Sequence, residues 1–99
     1  MSYVCVLEIQ LHFPDNDSLK GKRRELSSLK AQLQRRFGVA VAETAHHDLW
    51  QRAGLTAAIV GRDAGLLKDR AADVERYLWA MFPDGATMES LVMSTEDLH

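Results

Sequence analysis

Residues 3–13 read YVCVLEIQLHF, and they alternate without a break. Cys5, Leu7, Ile9, Leu11 and Phe13 fall on one face; Val4, Val6, Glu8, Gln10 and His12 fall on the other. A period of two in aliphatic and β-branched residues predicts a strand with one buried and one open face. Pro14 and the run DND at 15–17 end it, since proline lacks a ladder N–H and Asp and Asn bond locally to turn backbone. From Leu19 the period becomes helical. Leu19, Leu26, Leu29, Leu33 and Phe37 gather into one stripe, while Lys20, Arg24 and Arg35 point away from it. Ser18 or Asp17 can cap the start of this helix, and Gly38 stands where a glycine would close it.

Further out, VAVAETA (39–45) and LTAAIVG (55–61) read as two strands joined across HHDLWQRAG (46–54). Asp63 is the N-cap of a second helix, whose Leu67, Ala71, Val74, Leu78 and Met81 repeat at helical spacing. Trp79 and Tyr77 on that helix are expected in the core or at its margin. Pro83 stops the helix, ATMESLVMS (86–94) forms a last strand, and the tail TEDLH is expected to fray. The order β-α-β-β-α-β predicts an α+β, ferredoxin-like sandwich. Two right-handed crossovers build a four-stranded antiparallel sheet of order 4-1-3-2, with both helices on one face.

Ninety-nine residues make a single domain, 1–99, with an ordered core over about 2–94. A hydrophobic share of 46% against 26% charged residues argues against disorder. Cys5 is the only cysteine, so no intramolecular disulfide forms, and a reducing cytoplasm is the expected compartment. The N-terminus lacks the basic stretch of a signal peptide, and its apolar run is broken by Glu8 and Gln10, too early for a membrane span. The net charge of −2 conceals a sorted distribution. Residues 18–37 carry seven basic side chains (Lys20, Lys22, Arg23, Arg24, Lys30, Arg35 and Arg36) and one acid, Glu25.

The topology gives that charge a neighbour. Strands one and two run parallel, so their C-terminal ends lie together where the basic helix begins. His12, the helix start and HHDLWQR are expected at one edge of the molecule. Three kinds of chemistry have residues at that edge. His46 and Asp48 have strand ligand spacing, with His12 or His47 as further donors, yet zinc needs three or four groups converging at about 2 Å. Strands one and two stand roughly two 4.8 Å steps apart, so no metal and no cofactor is expected. Catalysis lacks a nucleophile, because Cys5 faces the core and Ser18 is better used as a cap. The turn PDNDS is acidic and lacks glycine, unlike the phosphate-binding turn of acylphosphatases. Nucleic acid fits better: Lys20, Lys22, Arg23 and Arg24 at a helix N-terminus offer cations for phosphates, and Trp50 with Arg52 offers a surface for a loop base or sugar. The structural alternative leaves the basic run as a solvated face, packs Trp50 over the end of the core, and pairs Arg52 with Asp48 or Glu43. It has His46 and Asp48 bond to each other or to the turn backbone. The open sheet face lacks the aromatics of an RNA-recognition motif, and its small, partly apolar residues suit a second copy.

Over SLKGKRR (18–24) and AETAHHDLWQRA (42–53) the chain resembles the YlxP-like family of small bacterial proteins, the likeness extending from VLEIQLHFP across nearly the whole chain. Matching positions in the hairpin are Ala42, Glu43, His46, Asp48, Leu49, Trp50, Gln51, Arg52 and Ala53. The family pattern often has Gln where this chain has His47, and an acid where it has Gly21; the glycine makes the helix start more basic and more flexible. The resemblance implies a ferredoxin-like fold and no known reaction. Genes of the family commonly lie beside those for translation initiation and ribosome maturation, which implies RNA or the ribosome as partner. The expected protein is a non-enzymatic, cytoplasmic, RNA- or ribosome-associated domain. The alternative is a protein-interaction or homodimerisation module using the open sheet face or an edge strand, with a metal-dependent enzyme ranked below both. Lys20, Lys22, Arg23, Arg24, Trp50 and Arg52 are its candidate RNA-binding residues, and Glu43, His46 and Asp48 hold its hairpin.

Overall fold

The computed structural model describes residues 1–98. Its elements are β1 (Tyr3–His12), α1 (Leu19–Phe37), β2 (Ala40–Ala45), β3 (Arg52–Gly61), α2 (Ala64–Met81), β4 (Ala86–Ser94) and a short 3₁₀ turn, Thr95–Leu98. The sheet order is β2-β3-β1-β4, with every neighbouring pair antiparallel. The fold is the α+β ferredoxin-like sandwich that the alternating first strand implied.

β1 is central because both its ladders are long and unbroken. It pairs with β3 from Tyr3↔Gly61 to His12↔Arg52, and with β4 from Tyr3↔Ser94 to Leu11↔Ala86. The first of these ladders starts β3 at Arg52, three residues earlier than the apolar run suggested: β1 supplies partners that far, and backbone pairing outweighs the weak strand preference of Ala53 and Gly54. Cys5, Leu7, Ile9 and Leu11 meet Ala53, Leu55, Ala57 and Ile59 on the face that the helices cover, and Phe13 closes the same core. Leu26, Leu29 and Leu33 of α1 and Leu67, Ala71, Val74 and Leu78 of α2 complete it.

Both helices begin as their sequences require. The Ser18 hydroxyl accepts the Gly21 N–H at 3.0 Å, and the Asp63 carboxylate accepts that of Leu66 at 3.1 Å. α1 closes on Gly38 at φ 66°, and Arg70 of α2 donates to the Phe37 carbonyl at 2.9 Å. Tyr77 packs against the core margin, edge-on to Phe37 and beneath the Arg36 guanidinium.

Two expectations are corrected. Trp79 lies in the solvent-facing arc of α2 and is 52% exposed, and Met81 at the last turn is also exposed. The stripe of Leu67, Ala71, Val74 and Leu78 already fills the groove, and neither residue falls within it. The described part of the tail, Thr95–Leu98, forms a 3₁₀ turn, and the Thr95 N–H donates to the Ser2 carbonyl at 3.0 Å, extending the β4 edge of the ladder. His99 lies outside the described residues. No described helix is long and apolar enough to cross a membrane.

Candidate nucleic-acid interface

The site begins with a break in β2. Glu43 pairs with Leu55 and Ala45 with Gly54, so Thr44 is an extra residue and the strand bulges. Before the bulge, Val41 and Glu43 share the helix-covered face with their partners Ala57 and Leu55. A carboxylate is thereby aimed under the sheet, toward α1. After the bulge the chain turns through His46, whose φ of 63° is the only left-handed backbone at a non-glycine among the described residues. That twist swings the carbonyls of the connection inward.

Lys22 meets them there. Its side chain is fully buried, and its ammonium donates to the carbonyls of His46 at 2.6 Å, Arg52 at 3.0 Å and His47 at 3.3 Å. The Glu43 Oε2 lies 3.1 Å away. An ammonium has three protons, and three carbonyls take them. The carboxylate oxygen is left with no hydrogen bond of its own and neutralises the buried charge by proximity. A second set of bonds seals the same junction. Asn16 Nδ2 donates to the Trp50 and Ser18 carbonyls, Phe13 N–H to the Gln51 carbonyl, and the Gln51 amide to the carbonyls of Pro14 and Asn16. The β1–α1 turn and the β2–β3 connection are one unit.

The edge foreseen from topology is therefore real, but its charges divide. Lys22 is corrected: a fully buried ammonium already shared among three carbonyls and a carboxylate cannot meet a phosphate, so it is a clamp. Lys20, Arg23 and Arg24 are exposed, and none is within ion-pair reach of a carboxylate among the described residues. On a helix turning about 100° per residue, Lys20 and Arg24 lie opposite Lys22, and Arg23 stands on the flank between. Trp50 does not pack over the core. The residue is 53% exposed, and with Asp48, Leu49, Gln51 and Arg52 it lines a shallow depression of about 460 Å³. The structure turns it outward because Asn16 holds its carbonyl and Phe13 with Phe82, edge to face at 5.4 Å, already closes that end of the core.

The hairpin roles also shift. Glu43 serves Lys22, so it is not a partner for Arg52. His46 contributes its carbonyl and its twist, not a bond to Asp48, whose carboxylate makes no hydrogen bond or ion pair among the described residues. His47, without an assigned role from sequence, donates from Nε2 to the Glu43 carbonyl at 3.1 Å. Gly21 is a spacing residue rather than a source of flexibility: a Cβ there would meet Asn16 Oδ1 at 2.5 Å. The part Asn16 and Gln51 play in joining the two turns has no counterpart in the sequence reading. Their signal was two amide side chains in turns that face each other across the parallel ends of strands one and two. Among the described residues no group of three or more His, Cys, Asp or Glu side chains converges as metal ligands.

A family model described as a protein of unknown function (DUF503) matches residues 4–90, spanning the helix tip, the clamp and the hairpin. The chain belongs to that family. No curated protein matches it. Among solved structures it is similar to a de novo designed protein, Foldit4, at 12% identity and a TM-score of 0.60, covering 95% of this chain and 98% of that one. A second designed protein, LFR1 1 with ferredoxin fold, shares 15% identity at a TM-score of 0.37, over 92% of this chain and 85% of that one. The first likeness concerns the backbone alone. A function has to be read from side chains grafted on that backbone.

Proposed function

We propose that this DUF503 member is a cytoplasmic, non-enzymatic domain that binds RNA, alone or within the ribosome, as a protein of the YlxP-like kind. The observation that carries the reading is an exposed Trp50 on the connection that Lys22 and Asn16 tie to the tip of α1, a tip that also carries three exposed, unpaired cations. Lys20, Arg23 and Arg24 contact phosphates, and Trp50 offers a stacking face to an unpaired base, worth about 1–3 kcal/mol. Because the clamp fixes the hairpin on the helix before any ligand arrives, little ordering entropy opposes binding. The two nucleophiles considered from sequence are otherwise employed: the Ser18 hydroxyl caps α1, and Cys5 is sealed in the core, where burial pushes its thiol up.

Three phosphate contacts predict a fall of log K with log salt of slope about −2 for single-stranded RNA, at roughly 0.7 per contact. The test is binding of ribosomal RNA fragments to wild type, to Lys20→Glu/Arg23→Glu/Arg24→Glu, and to Trp50→Ala. Equal affinity in all three rejects the interface.

One observation favours a second reading, self-association. The end of the open sheet face away from the hairpin is apolar: Val60 is 77% and Leu91 59% exposed, beside Val4, Val6, Ala58 and Met93. Light scattering on wild type and Val60→Lys distinguishes it, because only a real interface loses mass on that change.

A further inference from the structure

The opposite end of that open face is neither apolar nor flat. Gln10 and His12 of β1, Arg52 of β3 and Thr87 of β4 stand on it in register, His12 beside Arg52 and Gln10 beside Thr87. With His46 from the hairpin and Gly85 from the β4 turn they line a hollow of about 340 Å³. Beside it, residue 54, which faces Gln10, is glycine because the bulged β2 comes close there: a Cβ would lie 2.8 Å from the Ala45 Cβ and 3.3 Å from Gln10 Nε2.

We infer that this hollow is a phosphoryl-binding pocket, resting on the reading of the protein as an RNA binder: it takes the phosphate of the nucleotide whose base lies on Trp50. The chemistry of the lining is that of an anion site. Arg52 brings a planar fork of N–H donors, Gln10 an amide, Thr87 a hydroxyl, and each imidazole at least one N–H even when neutral. Arg52 lines both this hollow and the depression under Trp50, so the two subsites adjoin through one side chain. The left-handed His46 is what brings its ring to the rim. Left-handed backbone at a non-glycine residue is strained, and such strained positions cluster at ligand-binding sites. Carboxylates bound the pocket on its inner side. Glu8 and Glu89 lie directly opposite each other one pleat further along the face, and Glu8 accepts the Thr56 hydroxyl at 3.1 Å. They confine an anion to the outer end, beside the hairpin.

The experiment uses fluorescein-labelled single-stranded oligoadenylate, read by anisotropy across a salt series, and inorganic phosphate, read by NMR. The pocket variant is His12→Ala/His46→Asn, asparagine being chosen because it tolerates positive φ; circular dichroism checks that it folds. The tip variant is Lys20→Glu/Arg23→Glu/Arg24→Glu. The expected result is a roughly tenfold weaker RNA complex for the pocket variant, with a salt slope shallower by about 0.7, and phosphate-induced shifts at His12, His46 and Arg52 in wild type only. A pocket variant that binds RNA as wild type does, while the tip variant fails, overturns the pocket and leaves the RNA-binding reading standing. Wild type that binds no RNA overturns both.

Discussion

Replacing Lys22 with Met keeps the stem of the side chain and removes the ammonium. Three carbonyls then lose donors at 2.6, 3.0 and 3.3 Å, and the Glu43 carboxylate keeps its charge with its partner at 3.1 Å gone. The carbonyls belong to exposed residues and can turn to water, so they contribute little to the cost. The carboxylate cannot, and removing one partner of a buried pair costs about 3–5 kcal/mol. With a urea m-value of about 1.5–2 kcal/mol/M for a domain of this size, the unfolding midpoint falls by about 2 M. Glu43→Gln supplies the control. Alone it leaves an ammonium neutralised only by carbonyl dipoles and destabilises by less; added to Lys22→Met it removes the orphaned charge and restores part of the loss. The double-mutant coupling is therefore about 1–3 kcal/mol and favourable. Urea titration followed by far-ultraviolet circular dichroism measures all four proteins. If Lys22→Met unfolds within 0.5 kcal/mol of wild type, or the two losses simply add, the clamp is decorative and the reasoning fails.

Three further outcomes are expected. His46→Val forces a β-branched residue to φ 63° and destabilises by about 1–2 kcal/mol, whereas His46→Asn stays within about 0.5 kcal/mol; the same urea titration shows the difference. Gly21→Ala pushes Asn16 off the Trp50 carbonyl despite alanine's better helix propensity, so it shifts the Trp50 indole proton resonance and lowers stability rather than raising it. Cys5, with its thiol pushed up by burial, is inert to a disulfide reagent at pH 8 until the chain unfolds. The unfolded chain loses that proton first, so stability is undiminished below about pH 8 and falls as pH rises through the alkaline range. A Cys5→Ala variant flattens that fall.

The fold was legible because its decisive signals are local. Alternation in residues 3–13, the change of period at Leu19 and the caps at Ser18, Gly38 and Asp63 each specify an element, and the order of elements leaves few topologies. Proximity of helix tip and hairpin followed from topology alone. The direction of each charge did not. Lys22 stood on the stripe side of α1, but whether such a lysine snorkels out or stays in depends on what waits at its end. That was decided by a bulge at Thr44 and by one left-handed residue, neither of which composition or periodicity encodes. For a related reason the sequence does not decide whether Trp50 is exposed or packed. Burial statistics favour packing an indole, yet Phe13 and Phe82 had already filled the place it would have taken.

The open sheet face separates its two candidate uses by distance. Val4 and Val60 mark the apolar end, His12 and Arg52 the polar one, eight residues apart along strands paired in unbroken register. At roughly 3.4 Å per residue that is about 27 Å, so a second copy docked on Val60 and Leu91 would leave the hairpin and its hollow uncovered. Self-association and RNA binding are then compatible, and a dimer would present two equivalent sites to one strand. The link is measurable. If the protein dimerises, Val60→Lys halves the mass, weakens binding to a long RNA by the lost effective concentration, and leaves affinity for a six-nucleotide RNA unchanged. Loss of short-RNA affinity in that variant would mean the two ends are not independent, and the division of the face proposed for this molecule would be wrong.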